Sequence, residues 1–256
     1  MSATDWDEIV QEHRPILLLK PDVLVFYPTA GDPSTEKQIL SDSKTFFVNA
    51  VAHELFSPLS AVMGLLELAK EGDRVQENLL KMERHLNRMQ RILEQLILLS
   101  KIEQDNYQPF VRKVNLEQVL GDVVHEYEQR LAQKAISLAL DKVNVMIKAD
   151  EEALKIVLRN LISNALKYSK RAGHVEIKRT GDLLCIRDEG LGIPEQELKN
   201  VTARFYRAKN VRSISGSGLG LAIVKHILRR LNITWAIHSQ LNAGTTVYLE
   251  LVGVEE

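Results

Sequence analysis

From Val48 onward the apolar residues Val48, Val51, Leu55, Pro58, Val62, Leu65 and Ala69 recur at alternating spacings of three and four. The tetrapeptide EGDR at 71–74 interrupts, and Leu79, Met82, Leu86, Met89, Leu93 and Leu96 then resume the same alternation. That is the seam of a coiled coil, and two helices of about 28 residues joined by a short turn form an antiparallel hairpin. SDSK at 41–44 offers cap chemistry at its start. Each helix carries a second apolar stripe beside its seam: Phe47, Leu59 and Leu66 on the first, Ile92 and Leu99 on the second. One hairpin cannot bury two stripes per helix, whereas a four-helix bundle made by two chains can, so the pattern predicts a homodimer. Docking of the hairpin on the rest of its own chain is the competing arrangement.

The texture changes from Tyr107. QPFVRKVN predicts a strand, 116–134 a helix, Ile136–Leu140 and Val143–Lys148 short strands, and 151–168 a helix. HVEIKR and LLCIRD then form a strand pair, followed by a glycine-rich loop, a helix at 219–231 and two closing strands, ITWAIHS and TTVYLEL. Helices interleave with strands that close as hairpins, which points to an α/β sandwich rather than a doubly wound parallel sheet. The whole chain is therefore expected to be α+β, with 42–106 as a helical-hairpin dimerisation domain and 107–256 as an α/β sandwich domain. Residues 1–41 are turn-rich, with a loop at 27–34 and two short apolar runs to which no role is assigned.

Bulk properties exclude several classes. The 33 lysines and arginines nearly cancel the 34 acids, so nothing marks a nucleic-acid binder. PILLLKPDVLVFYP is broken by Lys20, Pro21 and Asp22, far short of the ~20 apolar residues that cross a bilayer. MSATDWDEIV has neither the basic start nor the apolar centre of a signal peptide. The single cysteine, Cys185, excludes an internal disulfide and is expected to be a small buried core residue. A soluble chain of the cytoplasm fits these features.

With Val48 at heptad position a, His53 falls at f, facing water, with Glu54 at g and Ser57 one turn on. Pro58 removes the hydrogen bond to the carbonyl of Glu54 and should bend the helix there. A zinc hydrolase would need a second histidine where Ser57 stands, so the metal reading fails. A plain surface histidine remains open. A neutral imidazole with a carboxylate neighbour can attack phosphorus, provided a phosphoryl donor is at hand. His85, His125, His174, His226 and His238 show no acid partner at helical spacing beside a kink and are expected to be structural or surface residues.

On the helix at 151–168, Asn160, Asn164, Lys167 and Tyr168 form one polar stripe at the rim of the apolar face. Amide oxygens suit Mg²⁺, and a lysine meets phosphate as a point charge. Taken alone, such a stripe is also what a solvated face looks like. DEGLGIP (188–194) closes a strand with an acid and two glycines. SGSGLGLAIVKH (215–226) leads a loop into a helix whose first amides can hold phosphate. No GKS or GKT follows, and no β-α-β unit frames the glycines, so the common phosphate loop and the dinucleotide fingerprint are excluded.

Together these segments resemble the sensor histidine kinases of two-component signalling, over roughly residues 42–252. HELFSPL resembles that family's histidine box, NLISNALKYS (160–169) its asparagine box, and DEGLGIP and GSGLGLAIVK its glycine boxes. ARFYR (203–207) resembles its phenylalanine box and GTTVYLEL (244–251) its last strand. The resemblance implies an ATP-dependent protein-histidine kinase in which His53 is the phosphoacceptor and Glu54 polarises it. By it, Asn160 and Asn164 bind Mg²⁺, Lys167 and Tyr168 meet phosphates and ribose, and Asp188 holds the adenine amino group. Gly190 and Gly192 leave room for the base, and Gly216, Gly218 and Gly220 form a mobile lid. Arg207 is the candidate for the γ-phosphate, and Leu219 and Thr245 complete the implied ATP-binding set. The implied partners are a second copy of the chain and the receiver domain of a separate response regulator, with a hinge near Asp105–Phe110.

Three positions depart from the family pattern: Phe56 where arginine is usual, Ser57 where threonine or asparagine is common, and Thr202 where an aromatic is usual. Ser57 keeps a hydroxyl that could orient water for phosphatase chemistry. The alternatives are an ATP-binding dimeric scaffold or phosphatase without kinase activity, and a chaperone or topoisomerase ATPase fragment.

Overall fold

The computed structural model describes residues 23–26, 51–52, 55–102, 109–212, 214 and 216–251. The expectations placed on Phe47, Val48, His53, Glu54, the loop at 27–34 and residues 105–108 of the hinge expected near Asp105–Phe110 lie outside the described residues, as does the side chain of Leu99. The chain divides into two compact units, one of them Ala30–Asp105 and the other Met1–Thr29 together with Asn106–Glu256.

The first unit is the helical hairpin, with α1 over 55–70 and α2 (Val75–Ile102). Its turn closes through Gly72 N–H to Ala69 O (3.1 Å) and Asp73 N–H to Leu68 O (3.1 Å). The amide of Asn78, itself buried, donates to Asp73 O at 2.8 Å. Pro58, Met82 and Ile92 lie inside. The bend expected at Pro58 involves the carbonyl of residue 54, outside the described residues. The expected seam divides in two. Ile92, assigned to the second stripe, is 2% exposed, whereas Leu79, Leu86 and Leu93, assigned to the seam, are 52%, 51% and 45% exposed. Two helices can face each other along one line only, so the alternate seam positions are left outside, alongside Leu59, Met63 and Leu66 of α1.

The second unit contains a mixed sheet. Its strands are β1 (Val23–Phe26), β3 (Ser137–Asp141), β5 (His174–Thr180), β6 (Leu183–Asp188), β7 (Trp235–Gln240) and β8 (Gly244–Glu250), in the order β1-β7-β8-β6-β5-β3. Only β3–β5 is parallel. β2 (Arg112–Asn115) and β4 (Met146–Ala149) pair separately. The helices are α3 (Leu116–His125), α4 (Glu128–Lys134), α5 (Glu151–Tyr168), the short α6 (Glu195–Leu198) and α7 (Gly220–Arg230). α5 packs against α3, α7 and β6. The chain is thus α+β, with a helical unit and a mixed-sheet α/β unit.

The helix expected over 116–134 is broken in two. Asn115 caps α3 by accepting Gln118 N–H at 3.1 Å, and Leu116, Val119, Leu120 and Val123 are buried, whereas α4 buries no side chain completely. At the break the Tyr127 hydroxyl donates to Arg159 O (3.2 Å), and Glu126 takes the Arg159 guanidinium with both oxygens (2.6–2.9 Å). These contacts to α5 turn the chain there. His125 Nδ1 lies 2.9 Å from Glu128 Oε1 across the break, so it does have an acid at helical spacing; both are exposed. Cys185 is half-buried rather than core, because the alternation along β6 turns Leu184, Ile186 and Asp188 inward and Cys185 the other way.

β1 had no assigned role. It pairs antiparallel with β7, Phe26 opposite Trp235 and Val23 opposite His238. The Phe26 and Trp235 rings stack at 4.3 Å and 16°, with Lys225 Nζ 5.8 Å from the Phe26 ring centre. Such a pair contributes about 0.5–1.5 kcal/mol beyond its buried area. In a Trp6→Phe background, Trp235 is the only tryptophan. There, Phe26→Ala should shift the emission maximum to longer wavelength and lower the thermal midpoint by several degrees. An unchanged spectrum would contradict the stack.

Candidate functional site

α5 is the beam on which the site is built. Asp150 caps its start by accepting Ala153 N–H at 3.1 Å, and its second oxygen accepts Phe110 N–H at 2.8 Å. One carboxylate therefore starts the helix and fixes the point where the chain enters this unit. Phe110, at the end of the expected hinge, is anchored. The inner face of α5 carries Ala153, Leu154, Val157, Leu158, Leu161, Ile162, Ala165 and Leu166, all buried. Asn160, Asn164, Lys167 and Tyr168 lie half-buried along its rim.

The Asn160 amide donates to Ile156 O at 2.8 Å, which locks the group and presents its oxygen. A methyl at Gly220 would sit 2.9 Å from that oxygen, and one at Gly216 would collide with Lys167 Nζ. The loop at 216–220 therefore runs directly against the asparagine–lysine stripe. Phe205 N–H donates to Gly218 O at 2.9 Å, tying the phenylalanine box to this loop. The Leu219 side chain is fully buried, so only its backbone is available to a ligand. Among the described residues no cluster of three His, Cys, Asp or Glu could hold a metal. The amide oxygens on α5 are neutral ligands of the kind Mg²⁺ accepts beside waters and phosphates.

Beyond the end of α5 lies the second half of the site. Tyr168 O accepts Leu191 N–H at 3.2 Å, and Leu191 O accepts Asn242 N–H at 2.8 Å. Gly192 has φ +60, and a side chain there would collide with Gln240 O, so only glycine lets the loop pass. Asp188, 7% exposed, accepts Gly190 N–H at 2.9 Å, and a methyl at Gly190 would lie 2.6 Å from its oxygen. Burial pushes the Asp188 carboxyl up to about 7, against the opposing backbone N–H groups of Gly190 and Thr245. Tyr168 is likewise raised by burial.

Two contributors carry no local sequence signal. Ser239, buried on β7, accepts Ile193 N–H (2.9 Å), donates to Gly244 O (3.0 Å) and lies 2.8 Å from Thr245 Oγ1. It binds the DEGLGIP loop to the strand that carries Thr245. Lys134 reaches the end of α5, donating to the carbonyls of Leu166, Lys167 and Ser169.

Not every expected residue faces this cluster. Arg207 donates to the carbonyls of Val211 (2.8 Å), Arg212 (2.9 Å) and Ile214, so its guanidinium braces its own loop, and its buried Nε has no hydrogen-bond partner among the described residues. Thr202 is buried where an aromatic was usual. His226 lies half-buried in α7 near Arg204, Lys225, Arg229 and Arg230, and desolvation first, then those charges, push it down to about 4. Ser57 is exposed on α1, in the other unit.

Residues 43–105 match the His Kinase A (phospho-acceptor) domain, and residues 149–253 match the histidine kinase-, DNA gyrase B-, and HSP90-like ATPase. The phosphate regulon sensor protein PhoR of Pseudomonas aeruginosa is 32% identical over 219 residues, 81% of this chain and 49% of PhoR. The chain spans about half the length of the curated relatives it matches. The histidine kinase AdeS of Acinetobacter baumannii superposes with a TM-score of 0.64 at 25% identity, over 79% of this chain and 98% of AdeS. The kinase ThkA, in a crystal structure with response regulator protein TrrA, gives 0.66 at 19% identity over 85% of this chain and 64% of that one, a likeness of fold. Among the described residues, no helix is long and apolar enough to cross a membrane.

The buried carboxylate has a thermodynamic consequence. Asp188 titrates at about 7 when folded, against 3.8 for the free side chain. Between those values the folded state holds the proton more tightly than the unfolded chain, so its contribution to stability falls as pH rises from about 4 to about 7. Ionisation costs the ligand-free fold on the order of 4 kcal/mol above that window. Asp188→Asn should flatten this part of the dependence and raise the thermal midpoint at pH 8 relative to the parent. Melts at pH 5 and pH 8 would show it, and parallel profiles would refute the assignment.

Proposed function

Because the chain belongs to the sensor histidine kinases of two-component signalling, we propose that it phosphorylates His53 from ATP and passes the phosphoryl group to an aspartate of a separate response regulator. What supports this reading is that the glycine loop at 216–220 lies against the amide stripe of α5, while the loop of the buried Asp188 meets the end of the same helix at Tyr168. The histidine box lies on a separate helical unit.

The pocket chemistry suits a nucleotide. A buried carboxylate flanked by backbone donors is an acceptor for the adenine amino group, and Gly190 leaves space beside it. Lys167 and the first amides of α7 are groups for the phosphates, and Tyr168 and Thr245 line the ribose and base. Asn164 and Asn160 would hold Mg²⁺ through their oxygens, and the ion would neutralise phosphate charge. Arg207 must leave its loop carbonyls to reach a γ-phosphate, so closure of the lid and release of this arginine go together.

In the transfer step a neutral His53 ring nitrogen forms the N–P bond as the P–O bond to ADP breaks. Glu54 takes the proton from the other ring nitrogen. Catalysis is mostly positioning, and a hinge near Asp105–Phe110 would bring the units together. Phosphohistidine then gives its phosphoryl group to the regulator's carboxylate. Phe56, 64% exposed and three residues after His53 in the sequence, is a docking contact for that regulator, and Ser57 could orient water for hydrolysis of the regulator's aspartyl phosphate.

Labelled ATP tests the kinase directly. The protein should acquire an acid-labile, base-stable phosphoryl group that His53→Gln lacks, and persistence of label in that variant would sink the reading. The homodimer rests on the outward stripe of Leu79, Leu86 and Leu93. Leu86→Glu with Leu93→Glu places charges on that stripe without touching the inner seam and should give a monomer in sedimentation. A dimer of unchanged affinity would put the interface elsewhere.

A further inference from the structure

Lys134 ends α4 in the stretch between the two matched domains, 43–105 and 149–253. Its ammonium donates to Leu166 O at 2.8 Å, Lys167 O at 2.8 Å and Ser169 O at 3.1 Å. A lysine has three N–H groups, and all three are directed at the last turn of α5. Its own carbonyl accepts Ala172 N–H at 2.9 Å. Side chain and main chain of one residue thus clamp the chain from 166 to 172, the segment from which Lys167 and Tyr168 project. The clamp continues into the other half of the pocket, because Tyr168 O accepts Leu191 N–H and a methyl at Gly190 would collide with the same carbonyl.

Charge adds to geometry. The C-terminal end of a helix carries the negative pole of its dipole, which opposes an anionic ligand at Lys167. An ammonium on the terminal carbonyls offsets it. Arginine can serve the same carbonyls with a fixed charge, glutamine supplies two donors without charge, and methionine supplies neither.

We propose that Lys134 is a positioning residue for the nucleotide: it holds the end of α5 so that Lys167, Tyr168 and the Asp188 loop keep the spacing a bound nucleotide requires. This rests on the reading that the pocket takes ATP. A residue that merely stabilised the fold would reduce the fraction of folded protein and leave the affinity of each folded molecule unchanged. A positioning residue changes that affinity.

The experiment is calorimetric titration of the full chain with Mg²⁺–AMPPNP, paired with autophosphorylation rates over a range of ATP. Lys134→Met should raise Kd and KM about tenfold, with the rate at saturation changed less than about twofold. Lys134→Gln should fall between, and Lys134→Arg should return to within about threefold of the parent. Should the methionine variant not fold, the glutamine variant carries the test. Parent-like Kd in the methionine or glutamine variant, with only binding stoichiometry or thermal midpoint reduced, overturns the proposal. A parent that binds Mg²⁺–AMPPNP but acquires no label sinks the kinase reading and leaves the Lys134 affinities to decide this one. A parent that binds no nucleotide overturns both.

Discussion

The last four carbonyls of a helix have no amide to meet within it. In α5 those of residues 165–168 are met by Ser169, by Lys134 twice, and by Leu191. At the other end Asp150 closes the first turn and holds Phe110. A helix closed at both ends by distant groups, and apolar along one whole side, has no freedom to roll or slide in the core. The polar rim inherits that rigidity. The Asn160 amide is held by Ile156 O, and buried Leu161 and Ala165, each one position on from an asparagine, fix the azimuth of Asn160 and Asn164.

The candidate site is also asymmetric in charge. Asp188 is an acid that meets only backbone donors, whereas Lys167 and the beginning of α7 present positive potential. A ligand with a hydrogen-bond donor at one end and phosphates at the other has a single favourable direction in such a site. The glycines remove side chains where strands and loops crowd the acid and the lysine.

Local patterns were legible wherever the signal is local. The bounds of α5 follow from Asp150 as cap and from the apolar spacing through Leu166. The strand pair β5–β6 follows from alternation and from the turn residues between its strands. What escaped notice depends on partners far away in the chain. The break at Glu126–Tyr127 is made by Arg159, Ser239 matters because Ile193 and Thr245 come to it, and Lys134 matters because α5 ends beside it. β1 is four residues long, too short for periodicity to mark, and its place is decided by Trp235. In the hairpin a strict heptad count could not choose which alternate leucines face the partner helix, since both sets obey the same spacing.

Strand β1 makes the order of the gene differ from the order of the fold. The helical hairpin is an insertion into the sheet unit, whose first strand is written before the hairpin and whose remaining strands come after it. A fragment cut at the start of the second run, which looks self-contained on the page, would bare the backbone hydrogen-bonding edge of β7 and one face of Trp235. Unpaired edges of that kind recruit other strands. Such a piece would therefore be prone to pair edge to edge with its copies, and that clumping would be a product of the scissors rather than a property of the intact chain.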